Sequence, residues 1–163
     1  QSTVAGLLDA LDINETDVFK TASGLADGIG LSGDGTCGAL IGSAMVIGLI
    51  FGRGYKDHRN VLAPMKSYRL SRKIQKDFMK QYGSCRCYDI QKKLMGRTYD
   101  LMNPQERGAA VREKMVEHCA QVVGRSARLT AGVILREQAL PNVLDYPLYW
   151  SGKISGAVLR KWG

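Results

Sequence analysis

Four cysteines are the residues of this sequence best suited to chemistry, and they come from three separate segments: Cys37, Cys85, Cys87 and Cys119. Their spacing contains no C-x2-C pair of the kind found in zinc fingers and no C-x-x-C-H sequence for covalent haem attachment. Four cysteines among 163 residues are also too few for a disulfide-stapled secreted scaffold. Three kinds of site remain: scattered ligands of one metal centre, a redox-active thiol pair, or inert buried thiols.

The positions of the cysteines favour reactive thiols over inert ones. Cys37 and Cys85 are each predicted to lie at the start of a helix. The partial positive charge at a helix N-terminus stabilises a thiolate, which is the form that metals and disulfide chemistry both need. Cys119 lies within a predicted helix and is expected to face the interior. Four thiolates from three segments could therefore converge on one buried site, as tetrahedral iron or zinc would require.

The Cys85-Arg86-Cys87 triplet constrains its own backbone. Residues two apart in a regular helix point about 200° away from each other. If both thiols serve one centre, the segment 83–85 cannot yet be helical, and its glycine and serine suit a turn. The sequence therefore predicts a turn that leads into a helix opening at these two cysteines.

Helical periodicity describes most of the chain, and the alternation typical of strands does not extend over a useful length. We predict an all-α fold, a compact bundle of about five to six helices. The glycine-rich run 24–35 is predicted to be a loop with a special backbone path. Gly38 and Gly42, on one face of the third helix, are expected to form a groove for a neighbouring helix. The last long helix is predicted to run unbroken from Asn103 to about residue 138.

The length of the chain suits one domain with its own core. We predict a cysteine-containing helical redox domain over 1–140 and a C-terminal extension over 141–163 that packs on the domain or on a partner. The longest apolar run, 37–52, is shorter than the roughly 20 residues that span a bilayer, so it is interpreted as a buried core helix. No signal peptide is visible, which favours the cytoplasm, or the periplasm if an N-terminal signal has been removed.

The formal net charge of +8 fits three kinds of partner: nucleic acid, an anionic membrane surface, or an acidic electron-transfer protein. Nucleic acid is disfavoured because the predicted basic helix, about 60–81, has no aromatic platform for base stacking. We predict that an acidic partner docks where basic residues surround the cysteine turn: Lys80, Arg86, Lys92 and Lys93. Contact with a membrane surface remains an alternative, and the same charges could simply keep the protein soluble.

The segment CGALIG at 37–42 matches the CGAxxG motif of the C_GCAxxG_C_C family of redox-active proteins. The run GLIFG at 48–52 and the element YGSCRC at 82–87 agree with that family's pattern. Cys87 occupies a family cysteine, and Cys119 resembles the last one, so the resemblance covers roughly residues 2 to 135. One departure stands out: the family's first cysteine, expected near Val4, is missing, and Cys85 is additional.

The resemblance implies a helical redox protein related to the C-terminal part of split-Soret cytochromes, with a homodimer and an iron–sulfur centre. We therefore expect an electron carrier, rather than an enzyme, that binds an iron–sulfur cluster of the [2Fe-2S] type through Cys37, Cys85, Cys87 and Cys119. The alternative is a thiol–disulfide oxidoreductase that pairs Cys37 with Cys87 or Cys119. A structural zinc site is the third hypothesis. The protein is expected to form a homodimer or to be a subunit of a larger redox complex.

Overall fold

The computed structural model describes residues 1–139, so the predicted extension 141–163 lies outside the described residues. Seven α-helices follow one another in this part of the chain, and no strand is formed there. The predicted all-α class is therefore confirmed. The helices are α1 (Ser2–Ala10), α2 (Thr16–Thr21), α3 (Gly38–Phe51), α4 (Met65–Tyr82), α5 (Cys87–Met95), α6 (Pro104–Arg112) and α7 (Met115–Ala139).

Helix α3 is the centre of the fold, and α1, α4 and α7 pack around it. It corresponds to the long apolar run of the sequence, and Val46 and Ile47 on it are fully buried. At Gly42 a Cβ atom would lie only 3.1 Å from Cβ of Thr3. The missing side chain thus lets α1 approach α3 closely, which confirms the predicted groove at this glycine.

Helix α4 presents an apolar stripe to the core and charged residues to solvent. It begins at Met65, later than the predicted start near Asn60. The side chain of Asn60 instead accepts hydrogen bonds from the backbone N–H groups of Leu62 and Ala63, at 3.1 and 3.2 Å. These bonds hold the segment before Pro64 in turns. In addition, Ala63 is disfavoured in the α conformation because it precedes proline.

The last long helix is broken, so the prediction of one continuous helix from Asn103 was wrong. Helix α6 ends at Arg112, and Lys114 has a left-handed backbone with φ of 60°. The break lets α6 fold against α7 and bury a second, smaller core that includes Tyr99 and Met115. Tertiary packing therefore outweighs the helical periodicity of this segment.

None of the helices within residues 1–139 combines the length and apolar character needed to cross a membrane.

Candidate redox site

The segments that precede α3 and α5 run antiparallel beside each other and are joined by backbone hydrogen bonds. The N–H group of Cys37 donates to the carbonyl of Cys85 at 2.7 Å, and that of Cys87 donates to the carbonyl of Gly35 at 3.0 Å. Two helices thus begin side by side. The turn predicted at 83–85 is confirmed, because Gly83 has φ of 82° and helix α5 begins only at Cys87. The prediction that Cys85 lies at a helix start was wrong, because Cys85 belongs to this turn, two residues before α5 begins.

A left-handed turn lies next to these segments and confirms the special backbone path predicted for the glycine-rich run. Five consecutive residues, Asp27 to Leu31, have φ between 46° and 73°. The N–H group of Gly33 closes the turn by donating to the carbonyl of Asp27 at 2.7 Å. Left-handed backbone costs about 1–2 kcal/mol for each residue other than glycine, so the surrounding contacts must stabilise the turn.

Two glycines allow this turn to close against itself. A Cβ atom on Gly28 would lie 2.8 Å from the carbonyl carbon of Gly33, and one on Gly35 would lie 2.4 Å from the carbonyl oxygen of Gly28. No side chain fits at such distances from backbone atoms. The closed turn also binds the start of α5. The carbonyl of Gly33 accepts a hydrogen bond from the N–H group of Tyr88, and the carbonyl of Gly35 accepts one from that of Cys87.

Cys37 and Cys87 form a buried pair at this junction, with exposed fractions of 8% and 6%. Cys37 is the residue immediately before α3, and Cys87 is the first residue of α5. A hydrogen bond from the Cys87 thiol lowers the pKa of Cys37 to about 7, assisted by the backbone amides of Ala39 and Leu40. Burial and the carboxylate of Asp27 oppose this effect. Cys37 is therefore the thiol of the pair whose ionised form the site favours.

The pKa of Cys87 is shifted in the opposite direction from that of Cys37. Its pKa is raised, first by the hydrogen bond to Cys37, then by burial and by the hydrogen bond to Asp27. Its Sγ donates to Oδ1 of Asp27 at 3.1 Å, so its single proton faces two acceptors. The pKa values of the two thiols are therefore shifted in opposite directions.

Asp27 and Gln91 belong to this site but were not among the predicted residues. The side-chain amide of Gln91 donates to Oδ1 of Asp27 and lies 3.5 Å from Sγ of Cys87. Gln91 could have been found from its position, because residues four apart on a helix share a face and it stands four after Cys87. Nothing in the local pattern around Asp27 distinguishes it from Asp34 in the same loop.

The other two cysteines are partly buried, and each has contacts outside the pair. Sγ of Cys85 lies 3.6 Å from the side-chain amide of Gln75 on α4. Cys119 lies near the start of α7 and packs against the smaller core. Burial first, and then the negative charges of Cys37 and Asp27, raise the pKa of Cys119 to about 11. The pKa of Cys119 therefore favours the neutral thiol and depends in part on the charges of Cys37 and Asp27.

A metal centre built from these cysteines would need several of their side chains to converge on one point. All four cysteines are free thiols. Within residues 1–139, no three side chains of histidine, cysteine, aspartate or glutamate converge closely enough to hold an ion. The ligand set Cys37, Cys85, Cys87 and Cys119 therefore stays a prediction.

The four predicted docking residues are all exposed, and Arg86 and Lys93 form ion pairs or hydrogen bonds, whereas Lys92 lies only 5.9 Å from the centre of the Tyr88 ring. Arg86 forms an ion pair with Asp34 and lies over the ring of Tyr88 at 4.9 Å. Lys93 donates to the carbonyl of Tyr82 at 3.2 Å, at the C-terminus of α4. Lys80 and Lys92 are therefore the clearest candidates for contact with a partner.

A protein-family model described as "Putative redox-active protein (C_GCAxxG_C_C)" matches residues 1–133. No curated protein matches the chain, and no solved structure does so either.

Proposed function

Because the chain belongs to the C_GCAxxG_C_C family of redox-active proteins, we propose that Cys37 and Cys87 are its redox centre, alternating between two thiols and a disulfide. The supporting observation is that backbone hydrogen bonds bring Cys37 and Cys87 together as a buried pair at the starts of α3 and α5, where the Cys87 thiol lowers the pKa of Cys37. A thiolate is the nucleophile in disulfide exchange, and attack is fastest when its pKa is near the ambient pH. Cys37 meets this condition.

The exchange proceeds in two steps with a disulfide as oxidant. The Cys37 thiolate attacks one sulfur of that disulfide, whose S–S bond breaks and releases one thiolate. The sulfur of Cys87 then gives up its proton and attacks Sγ of Cys37, releasing the second thiolate. One disulfide and two protein thiols thus become one protein disulfide and two small thiols, and the electron pair passes to the oxidant.

Access limits which oxidants can react. Cys37 is 8% exposed, and the turn 27–35 covers the approach to Cys87 through Gly35 and Asp27. A small disulfide therefore suits the site better than a folded protein whose disulfide is recessed.

The proposal is tested by oxidation with glutathione disulfide, followed by peptide mass spectrometry. We expect two thiols to be lost and one bridge to join the peptides that contain Cys37 and Cys87. Cys87→Ser should stop at a mixed disulfide with glutathione on Cys37, since the second step is removed. Cys85→Ser and Cys119→Ser, matched controls, should still form the bridge. Retention of all four thiols, or a bridge that involves Cys85 or Cys119, would overturn the proposal.

An iron–sulfur cluster bound by all four cysteines is the second candidate. Two observations favour it: the backbone hydrogen bond that joins Cys37 to Cys85, and the effect of the Cys37 charge on Cys119. Both support a position of the remaining thiols close to the pair. Anaerobic purification followed by iron, zinc and acid-labile sulfide analysis separates the candidates. Stoichiometric iron and sulfide would support the cluster, zinc alone would indicate a structural site, and a metal-free protein that gains two thiols on reduction would support the pair.

We further propose an acidic electron-transfer partner that approaches the face carrying Lys80 and Lys92, next to the turn before α5. A homodimer, or a place in a larger redox complex, is proposed from the small-residue surface of α3. The close approach of α1 already occupies Gly42, whereas Gly48 has no atom of another element near it within residues 1–139. Light scattering of the purified protein tests the dimer, and a monomer would contradict it.

A further inference from the structure

Asp27 places a carboxylate against the redox pair, although the proposed exchange requires no carboxylate. Its Oδ1 atom accepts hydrogen bonds from Sγ of Cys87 and from the amide of Gln91. Its Oδ2 atom is buried and has no hydrogen-bond partner among residues 1–139. A buried carboxylate is costly unless donors surround it, so each of these two donors matters.

The backbone of Asp27 shows that this placement is itself costly. Asp27 has φ of 46° and opens the run of left-handed residues. Strained backbone of this kind persists where surrounding structure over-determines it, and it is concentrated at functional sites. The consequence of the strain is that the carboxylate reaches the sulfur of Cys87.

The hydrogen bond from Cys87 exists only in the reduced protein. When the bond between Sγ of Cys37 and Sγ of Cys87 forms, Cys87 loses its S–H proton and can no longer donate. Asp27 then keeps only Gln91 as a donor to Oδ1, and its buried Oδ2 atom has no donor among residues 1–139 to compensate. The carboxylate is therefore better solvated in the dithiol state than in the disulfide state.

We propose that Asp27 sets the redox poise of the Cys37–Cys87 pair by favouring the dithiol through its hydrogen bond with Cys87. This inference rests on the proposed function. Two electrons leave the pair and reduce a disulfide oxidant to two thiols, and the bond to Asp27 is lost in the same event. Asp27 thus makes the protein disulfide easier to reduce.

The test measures the equilibrium between dithiol and disulfide in glutathione buffers, approached from both directions. A pH of about 5.5 keeps Cys37 mostly protonated, so the effect of the Asp27 charge on a Cys37 thiolate has little weight. Asp27→Asn and Asp27→Gly are the informative variants, because both residues tolerate left-handed backbone. Asp12→Asn is the matched control, since Asp12 is exposed and also has positive φ, 54°.

We expect Asp27→Gly to shift the equilibrium constant at least tenfold toward the disulfide, a potential more negative by about 30 mV. Asp27→Asn should shift it in the same direction by less, because a neutral acceptor remains. Asp12→Asn should leave it unchanged. Equal constants in all four proteins would overturn the role of Asp27 while leaving the thiol pair intact. Absence of any disulfide in the unaltered protein would overturn both proposals.

A second measurement does not require the variants at Asp27 to fold. In a Cys37→Ala background, which removes the other acceptor and its own S–H band, the infrared difference spectrum between the reduced protein and its Cys87→Ala variant isolates the S–H stretching band of Cys87. A band lowered in frequency relative to a free thiol supports the bond to an acceptor such as Asp27. A band at the frequency of a thiol without a hydrogen bond would overturn the proposal.

Discussion

The carbonyl oxygen of Cys85 accepts a hydrogen bond of 2.7 Å from the backbone N–H group of Cys37. This bond ties the start of α3 to the turn that precedes α5, and it uses no sulfur atom. Cys85 therefore supports the Cys37–Cys87 pair through its backbone, which any residue provides. The contribution of the Cys85 side chain can be separated from that of Cys87 by substitution.

The ionisation of Cys37 should depend on Cys87 and not on the side chain of Cys85. In a Cys119→Ser background, the rate of Cys37 alkylation should fall as the pH drops below about 7, because the thiol becomes protonated. Cys87→Ala removes the largest cause of the lowered pKa and leaves burial to dominate, so the midpoint should rise by at least about one pH unit. Cys85→Ser is the control and should keep the midpoint near 7. An unshifted profile in Cys87→Ala would contradict the thiol–thiol hydrogen bond.

The closed turn should not tolerate a side chain at Gly35. Gly35→Ala places a Cβ atom 2.4 Å from the carbonyl oxygen of Gly28, and opening the turn also weakens the bond from Cys87 to Gly35. We expect a loss of about 2 kcal/mol in the free energy of unfolding, measured by urea denaturation. Gly24→Ala is the control, because nothing lies within 4 Å of its Cβ position. Equal stability of the two variants would show that the turn adapts.

The contact between α1 and α3 should be sensitive to volume at Gly42. Gly42→Val would press a branched side chain against Thr3 and Val4, whose atoms lie 3.1 and 3.3 Å from the Cβ position. Overpacking of this kind costs about 1–3 kcal/mol, to be measured by thermal or urea unfolding. Gly48→Val on the same helix has open space around it and should change stability little in a monomer. A large loss at Gly48 would instead indicate that a second chain packs there.

The charge beside the redox pair should steer anionic oxidants. Glutathione disulfide carries net negative charge, whereas cystamine is a cationic disulfide. Replacing Lys80 and Lys92 with Gln should slow oxidation by glutathione disulfide and flatten its dependence on ionic strength, with the opposite effect for cystamine. Lys56→Gln with Arg59→Gln is the control, because these exposed residues follow the far end of α3. If the oxidation rate depended on ionic strength equally in both double variants, Lys80 and Lys92 would have no steering role and would serve only to keep the protein soluble.

Local sequence patterns predicted the features that depend on neighbours along the chain. The periodicity of apolar residues predicted an all-α fold, and Gly83 with Ser84 predicted a turn before α5. Gly42 predicted a close helix contact, which α1 supplies. These features follow from backbone conformation and from the face of a helix, both of which are set within a few residues.

Tertiary structure decided the features that join distant segments. The break at Lys114 arises because α6 gains burial by folding onto α7, a gain that no local pattern contains. The choice of Cys87 as the partner of Cys37, and of Asp27 as the carboxylate beside it, depends on how the turn 27–35 meets the start of α5. The sequence by itself determined which residues could react, whereas the packing of three segments determined which of them meet and in which direction each thiol pKa is shifted, because hydrogen bonds and burial set those shifts.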